Sequence, residues 1–392
     1  MISTALLSML LLPSVEPVGD FVASADAKKI LCASGSPSFV KSQLRYMDLE
    51  TGDRFDLTTG LDGKEADHSC TNVAISPSGD AVAFTSTATN LIPNGTKRDR
   101  VYVWERATKK LRVVSEGISP DVVNARKHDM SVSDGGRTVM FVTGPLNGVP
   151  ERLWVAESGK KAVPLATRLG LGLPAKEDLR ASVGADGRTF TAVVTDRTYN
   201  SGKEFYCPMV VAGSLDRGIV TRMPVDYSFH QLGGFVVSSN GLTMAYNDCQ
   251  HDGKLVTITT WVYQSGRSMA WERVLVRTEK NLTHYPYMLA LSGDGNLILY
   301  QSSLDKVNTS DQVILRNWKT GRWTNVSVDN EGRPGKTDAG GDAVQMKAFS
   351  SNGDGSTVLF TGRDRYGLSE PGLLQPHLMT RDVVAGKTAN VR

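Results

Sequence analysis

The chain lacks most of the features that would place it at once in a functional class. It has only four cysteines in 392 residues, and none forms a Cys-x-x-Cys pair, which excludes a zinc knuckle or a thioredoxin-type motif. The net charge is only +3 and no run of basic residues stands out, so no nucleic-acid partner is expected. No apolar stretch reaches the roughly 18–20 residues of a membrane-spanning helix.

Common catalytic motifs are also missing from the sequence. It contains no Gly-x-Ser-x-Gly nucleophile elbow, no phosphate-binding Gly-x-x-x-x-Gly-Lys-Ser/Thr loop and no His-Glu-x-x-His zinc motif. The sequence therefore offers no recognised catalytic machinery, and whether the chain is an enzyme stays open at this point.

Residues 1–17 allow two interpretations. Met1–Leu12 is an apolar run that ends at Pro13 and has the length of the hydrophobic part of a secretory signal. However, no Lys or Arg precedes it, and no clean small-residue cleavage site follows it. The segment is either a degenerate export signal or an edge strand of the folded domain.

What the sequence does contain is an internal repeat. An apolar strand, a turn of the type Ser-x-Asp/Asn-Gly and a second apolar strand recur seven times, the first copy being degenerate. Asp and Asn tolerate a left-handed backbone and Gly adopts positive φ without steric cost, which suits both to such turns. The last turn residues are at positions 27, 79, 136, 187, 241, 295 and 355.

The repeat predicts the architecture. Each copy continues with a third strand, a tight turn such as Thr51-Gly52 or Thr320-Gly321, and a fourth strand. Four short antiparallel strands per unit and seven units predict an all-β, seven-bladed β-propeller, a single domain over residues 18–392. Five copies carry an aromatic residue five positions past the turn, and we interpret these aromatics as core between blades.

The repeats resemble those of TolB-like bacterial β-propellers, which are related to WD-repeat proteins. The resemblance lies in the strand–turn–strand segment 73–86 and its continuation at 101–106, and it extends over about residues 18–392. The repeat period of about 55 residues exceeds the 40–45 of ordinary WD repeats. We place the surplus in connections between second and third strands, such as 87–100, 143–151, 195–204 and 301–311.

The resemblance implies a fold and leaves the function open. TolB-like propellers include periplasmic scaffolds, sensors, sugar-binding modules, non-catalytic peptidase domains and some lyases, so the fold itself supplies no mechanism.

The histidines form the clearest candidate site. Three of the six lie 11 residues before the turn anchor of their copy, namely His68, His230 and His284. His128 lies eight residues before its anchor, and Asp342 reaches the same position in the last copy if its longer turn is allowed for. These positions come just before the innermost strand, where residues of different blades meet around the mouth of the central channel. Arg126 and Arg180 are further candidate ligand contacts in the same connections.

Three uses of these residues are open. His68, His230 and His284 could bind a divalent metal, as propeller lyases of pectin fragments do with a His-rich site at the channel. A single imidazole could instead act as a general base or contact a small ligand or sugar. The third interpretation is structural, with each side chain closing the connection between blades.

The cysteines bear on the compartment. Four cysteines allow three pairings, and their order suggests Cys32–Cys70 and Cys207–Cys249, each joining consecutive repeats. Such bridges would indicate an oxidising compartment, in agreement with export, whereas four buried free thiols are the alternative.

We therefore expect a secreted or periplasmic, monomeric propeller that serves as a ligand-binding or protein-interaction scaffold. Its partner would be a carbohydrate, a small molecule or a protein at the channel face. The alternative is a lyase or hydrolase acting on a carbohydrate or small metabolite, with a His-centred site at the channel and a divalent metal as candidate cofactor.

Overall fold

The structure is a computed structural model. It describes residues 21–34, 43–118, 125–143, 152–170, 181–200, 203–224, 230–238, 240, 242–252, 255–264, 272–280, 289–303, 311–328, 330, 332, 349–351, 354–363 and 376–390. The segment 1–17, for which the sequence allows an export signal or an edge strand, lies outside these residues.

The described strands form seven antiparallel sheets of four strands each, and strands that are consecutive in the chain are neighbours in the sheet. The predicted seven-bladed β-propeller is therefore confirmed. The bounds of blades one to three are β1 Phe21–Ala23, β2 Lys29–Ser34, β3 Gln43–Asp48, β4 Arg54–Asp56; β5 Cys70–Ile75, β6 Ala81–Ser86, β7 Arg100–Glu105, β8 Lys110–Val113; β9 Ala125–Val132, β10 Thr138–Thr143, β11 Arg152–Glu157 and β12 Val163–Pro164.

The remaining four blades follow the same plan. Their bounds are β13 Ala181–Val183, β14 Thr189–Asn200, β15 Lys203–Ser214, β16 Gly218–Pro224; β17 His230–Val237, β18 Thr243–Asp252, β19 Leu255–Gln264, β20 Glu272–Lys280; β21 Leu289–Leu291, β22 Leu297–Ser303, β23 Asp311–Asn317, β24 Trp323–Asn325; β25 Phe349–Ser351, β26 Thr357–Arg363, β27 Pro376–Asp382 and β28 Lys387–Asn390. The helical elements described are α1 (Leu165–Arg168) and a 3-10 turn (Asp134–Gly136). Within the described ranges, no helix has the length and apolar character needed to cross a membrane.

The turn between the first and second strands explains the repeat. In the six blades where its last residue is described, that residue has a φ between 56° and 75°. The degenerate first copy keeps this geometry with Ala27 at φ 56°. At these turns the backbone therefore adopts the left-handed conformation that the sequence pattern predicts.

The second strand of a blade packs against both neighbouring blades. In blade two, Val82 and Phe84 join Tyr46 of blade one in one buried cluster. Ala81 and Ala83 join Phe141 of blade three in another. Alternate residues thus face opposite neighbours, and the aromatic five positions past the turn lies between blades, as the repeat predicted.

The turns of neighbouring blades are also joined by hydrogen bonds. The backbone N–H of Ser78 in blade two donates to the carboxylate of Asp134 in blade three at 2.8 Å. In return, the N–H of Gly135 in blade three donates to the carboxylate of Asp80 in blade two, also at 2.8 Å. Backbone N–H groups also donate to backbone carbonyls of the next blade, from Ala25 to Pro77, from Asp134 to Ala185 and from Asn240 to Gly293.

Among the described residues, no strand is exchanged between the two ends of the ring. Blade one consists of β1–β4 and blade seven of β25–β28, so among the described residues neither terminus contributes a strand to the other blade. The two blades meet in a buried apolar cluster, here called the seam, that contains Ala27, Ile30, Cys32, Met47 and Leu359. Apolar packing at this seam therefore joins blades one and seven.

The predicted Cys32–Cys70 bridge is wrong, because both cysteines are free and buried. Cys32 lies in the seam, whereas Cys70 lies in the cluster between blades one and two. The two thiols therefore occupy different interfaces of blade one. The side chains of Cys207 and Cys249 lie outside the described part of the structure, and their pairing stays a prediction.

Candidate functional site

The antiparallel order of the strands divides the connections between two faces of the ring. Turns between the first and second and between the third and fourth strands lie on one face, here called the turn face. Connections between second and third strands lie on the other, the loop face, together with the segments that lead into each next blade. His68 lies in such a segment, two residues before β5.

Asp67 fixes this segment to the connection between β6 and β7. Its carboxylate accepts hydrogen bonds from the backbone N–H of Thr89 at 2.8 Å and from the Thr89 hydroxyl. The N–H of Asp67 donates to Oδ1 of Asn90 at 3.1 Å. The Thr89 hydroxyl is the main reason why the pKa of Asp67 falls from 3.8 to about 2. Asp67 is therefore a carboxylate over the ordinary pH range.

His68 stands beside this carboxylate. Its Nδ1 lies 3.1 Å from Oδ1 of Asp67, an ion-pair distance when the imidazole is protonated, although the two groups are not aligned as a hydrogen bond. The His68 side chain is 31% exposed, so its imidazole is in contact with solvent on the loop face. A carboxylate beside one ring nitrogen leaves the other, Nε2, available to a ligand.

Asn90 holds the two connections together from the other side. Its Nδ2 donates to the carbonyl of Glu65 at 3.0 Å and to Oδ1 of Asp62 at 3.3 Å. A Cβ at Gly60 would lie only 2.3 Å from that same nitrogen, which explains the glycine. We call Asp67, His68, Thr89 and Asn90 the blade-two site.

Sequence reasoning found His68 and the connection 87–100, but it missed the roles of Thr89 and Asn90. The Thr89-Asn90 pair does not recur at the same position in the other repeats, so no sequence pattern points to it. Only the fold shows that it contacts Asp67.

The other predicted residues are spread over the ring. His128 and Arg126 belong to β9 in blade three, and His230 is the first residue of β17 in blade five. Their side chains lie outside the described part, as do His284, Asp342 and Arg180 altogether. The expectation that Arg126, His128 and His230 precede the innermost strand is wrong, because β9 begins at Ala125 and β17 begins at His230 itself.

A complete metal site is not found among the described residues. No group of three or more His, Cys, Asp or Glu side chains is placed there to hold an ion. Of the proposed ligands His68, His230 and His284, only His68 has a described side chain. This set therefore remains a prediction.

The loop face is raised at blades four and five. β14 and β15 have 12 residues each, and β18 and β19 have 10. The corresponding second and third strands of the other blades have six or seven. The expectation of a loop at 195–204 is therefore wrong for most of that range, because β14 and β15 continue through it as a hairpin.

A groove of about 300 Å³ lies elsewhere, on the outer side of blades two and three. Val114 and Ala156 contribute apolar atoms to it, and Arg112, Lys160 and Lys161 contribute positive charge. Arg112 is already paired with Glu105 at 3.0 Å, and Lys160 with Glu157 at 3.1 Å. The groove is thus separate from the blade-two site, and two of its three cationic side chains are already paired with carboxylates.

Comparisons with known proteins identify the fold. No family model matches the sequence, and no curated protein does. Among solved structures, the β-propeller domain of the trilobed protease from Pyrococcus furiosus, described as having an open velcro topology, aligns with a TM-score of 0.54 at 11% identity over 96% of this chain and 95% of that one.

Two enzymes align similarly. Oligogalacturonate lyase in complex with manganese gives a TM-score of 0.54 at 14% identity, covering 91% of this chain and 86% of the lyase. A puromycin-hydrolyzing peptidase of Mycobacterium tuberculosis gives 0.55 at 12% identity, covering 97% of this chain but only 57% of the peptidase. At such identities these likenesses show the fold alone: the chain is a seven-bladed β-propeller.

Proposed function

We propose that this chain is an exported, TolB-like β-propeller that acts as a binding scaffold, with its ligand on the loop face. The observation that carries the proposal is the extension of blades four and five, which raises part of that face above the ring. Long elements on one face of a rigid scaffold are where recognition is usually placed. The partner is a carbohydrate, a small molecule or a protein, and the scaffold itself is a monomer.

Removing the hairpin of blade four tests this proposal. Asp196 and Cys207 are cross-strand partners, so an Asn-Gly turn can replace residues 197–206 and close a two-residue hairpin between them. Val384, which is 85% exposed in the turn between β27 and β28, supplies a control on the turn face as Val384→Ser. We expect ligands selected from oligosaccharide arrays and random peptide libraries to lose affinity for the shortened protein only. Unchanged binding to the shortened protein would contradict the proposal.

Export is part of the same proposal. The apolar run Met1–Leu12 and the TolB-like repeats support it, whereas the cysteines no longer do, since Cys32 and Cys70 are free thiols. Cell fractionation with N-terminal sequencing of the recovered protein tests it. A protein that stays in the cytoplasm would overturn the localisation and leave the binding role to be judged separately.

An enzyme is the second candidate, and the blade-two site favours it. A carboxylate close to an imidazole, as Asp67 is to His68, is common where a histidine acts as a general base or binds a metal. The activity would be that of a lyase or hydrolase on a carbohydrate or small metabolite. The fold likeness to a lyase crystallised with manganese makes oligogalacturonate the first substrate to test.

Metal content and product formation decide this alternative. Plasma mass spectrometry of purified protein is compared with His68→Ala and His284→Ala, and unsaturated products are followed by absorbance. Stoichiometric metal that both substitutions remove would support the metal-dependent enzyme. Protein that contains no metal and forms no product would favour the binding scaffold over the enzyme.

A further inference from the structure

The connection between β6 and β7 contains a tight turn that ends in an Asn-Gly pair. The backbone N–H of Gly95 donates to the carbonyl of Ile92 at 3.2 Å, and Asn94 has a φ of 55°. Pro93 in the second position of a turn and positive φ in the third are typical of a type II turn, whose third position suits Gly or Asn. The backbone of the turn therefore explains the asparagine.

Position 95 requires glycine for a different reason. A Cβ at Gly95 would overlap the carbonyl oxygen of Thr89, which lies earlier in the same connection. Thr89 is itself held in place, because its N–H and its hydroxyl both donate to the carboxylate of Asp67. Two separate structural requirements thus place an asparagine directly before a glycine, in contact with the blade-two site.

An Asn-Gly pair is prone to spontaneous deamidation, because the glycine has no side chain to shield its backbone nitrogen. That nitrogen attacks Cγ of the asparagine, forms a new C–N bond and expels the side-chain nitrogen as ammonia. Water then opens the resulting succinimide at one of its two carbonyls, which gives aspartate or isoaspartate. The reaction takes up one water and releases one ammonia, and it needs no enzyme, oxidant or metal.

The hydrogen bonds of the side-chain amide control this reaction in a folded protein, because Cγ must rotate to meet the next backbone nitrogen. Asn94 is exposed, and no hydrogen bond of its amide is found within the described residues. Asn240, which Gly241 follows, is exposed as well, but its amide is fixed. Its Oδ1 accepts from the Ser238 hydroxyl at 2.7 Å and from the N–H of Leu242 at 2.9 Å. Its Nδ2 donates to a backbone carbonyl of the next blade at 3.2 Å.

We propose that Asn94 is a site of spontaneous deamidation in the folded protein, whereas Asn240 is protected. Reaction at Asn94 breaks one long backbone hydrogen bond, the one from Gly95 to Ile92. Reaction at Asn240 breaks all three bonds of the amide itself. The same dipeptide therefore reacts at different rates in two places of one fold.

The modification changes the blade-two site. Isoaspartate at position 94 adds a methylene to the main chain directly before Gly95, the residue that packs against Thr89. The longer main chain displaces Thr89 and weakens the hydrogen bond from its N–H to Asp67, which is 2.8 Å in the unmodified protein. Aspartate, the other product, adds a charge and leaves the main chain unaltered.

Peptide mass spectrometry of the full chain, after incubation in mildly alkaline buffer, measures both asparagines in one digest. We expect Asn94 to deamidate at least about tenfold faster than Asn240 in the native protein. In urea the two should react at similar rates, because both precede glycine and neither amide is then held by the fold. Equal rates in the native protein would overturn the proposal, and so would an Asn94 that reacts only in urea.

Two variants separate the chemistry from its consequence. Asn94→Gln keeps an amide on a longer side chain, which closes the ring far more slowly, so it should stay unmodified; a Gln that reacts as fast as Asn94 would refute attack by Gly95. Asn94→Asp carries the charge of the product on a normal main chain. Amide exchange at Thr89, followed by nuclear magnetic resonance, should be about three- to tenfold faster in the isolated isoaspartate form than in Asn94→Asp. Equal exchange would refute the effect on the blade-two site.

Discussion

At the scale of single residues, the turn glycines serve two purposes at once. Gly295 has a φ of +73°, and a Cβ there would lie 2.2 Å from Oγ1 of Thr243 in the preceding blade. Gly159 has a similar φ of +75°, but a Cβ there would have open space around it. The first glycine is therefore required by the backbone and by the neighbouring blade, the second by the backbone alone.

This pair allows the two effects to be separated by substitution. We expect Gly159→Ala to lower the free energy of unfolding by about 1 kcal/mol, the cost of a side chain at positive φ. Gly295→Ala should cost about 1–3 kcal/mol more, because Thr243 is fully buried and cannot move aside. Urea denaturation measures both. Equal losses would show that the contact between blades adds nothing.

The carboxylates of blade two predict a dependence on pH. The pKa of Asp67 is lowered from 3.8 to about 2, chiefly by the Thr89 hydroxyl, so its hydrogen bonds stabilise the fold above pH 3.8 and are lost as the pH falls toward 2. The free-energy difference between wild type and Asp67→Asn should shrink over that interval. Unfolding by urea at several pH values measures it.

Asp99, in the connection between β6 and β7, supplies a control of opposite sign. Burial raises the pKa of Asp99, so its charged form is disfavoured in the folded state and its contribution to stability improves as the pH falls. The free energy of unfolding of the wild type should therefore rise relative to that of Asp99→Asn as the pH falls. If both differences moved in the same direction, the hydrogen bonds of Asp67 would not be the cause.

At the scale of strands and turns, the sequence predicted most of what the structure contains. Most of the turns follow from residue chemistry, since Gly tolerates the left-handed backbone that Gly79 and Gly355 adopt, whereas Ala27 adopts it without that advantage. Strand length was not predictable in the same way. The polar residues of 195–204 suggested a loop, but cross-strand pairing continues β14 and β15 through them, and polarity alone does not distinguish an exposed hairpin from a loop.

The cysteines illustrate a second limit and give an element-scale prediction. Cys32 is five positions past its turn, the place where other blades put an aromatic facing the preceding blade, so it faces blade seven and not Cys70. Burial raises the pKa of Cys32 to about 12 and that of Cys70 to about 11, so both thiols should react slowly in the native protein. In urea without reductant, iodoacetamide should modify both, as peptide mass spectrometry would show. A Cys32–Cys70 bridge would leave both unmodified.

At the scale of the whole molecule, the blade-two site shows what sequence repeats cannot give. The repeat located His68 by its distance from the turn. However, Asp67 beside it and Thr89, which donates to Asp67, meet only because two connections share the loop face. Side chains that lie in different blades depend on the diameter and closure of the ring, which no local pattern encodes. Fold prediction therefore succeeded where site prediction remained partial.

Ring closure is likewise a property of the whole molecule. At the seam, the described part of the chain does not run from one blade to its neighbour, so non-covalent packing joins blades one and seven there. Leu359, four positions past the turn of blade seven, is fully buried in the seam with Cys32. Leu299 holds the equivalent position in blade six and is equally buried between blades six and seven. The two leucines form a matched pair of which only one lies where the ring closes.

We expect Leu359→Ala and Leu299→Ala each to cost about 2–5 kcal/mol of unfolding free energy, the usual loss for a buried leucine. Only Leu359→Ala should also open the seam locally, because blades one and seven are held there by apolar packing between the two ends of the chain. The native alkylation rate of Cys32 should then rise in Leu359→Ala relative to that of Cys70, which lies between blades one and two. A parallel rise at both thiols would mean that the propeller opens only by unfolding as a whole, and that its closure is as strong as any other interface between blades.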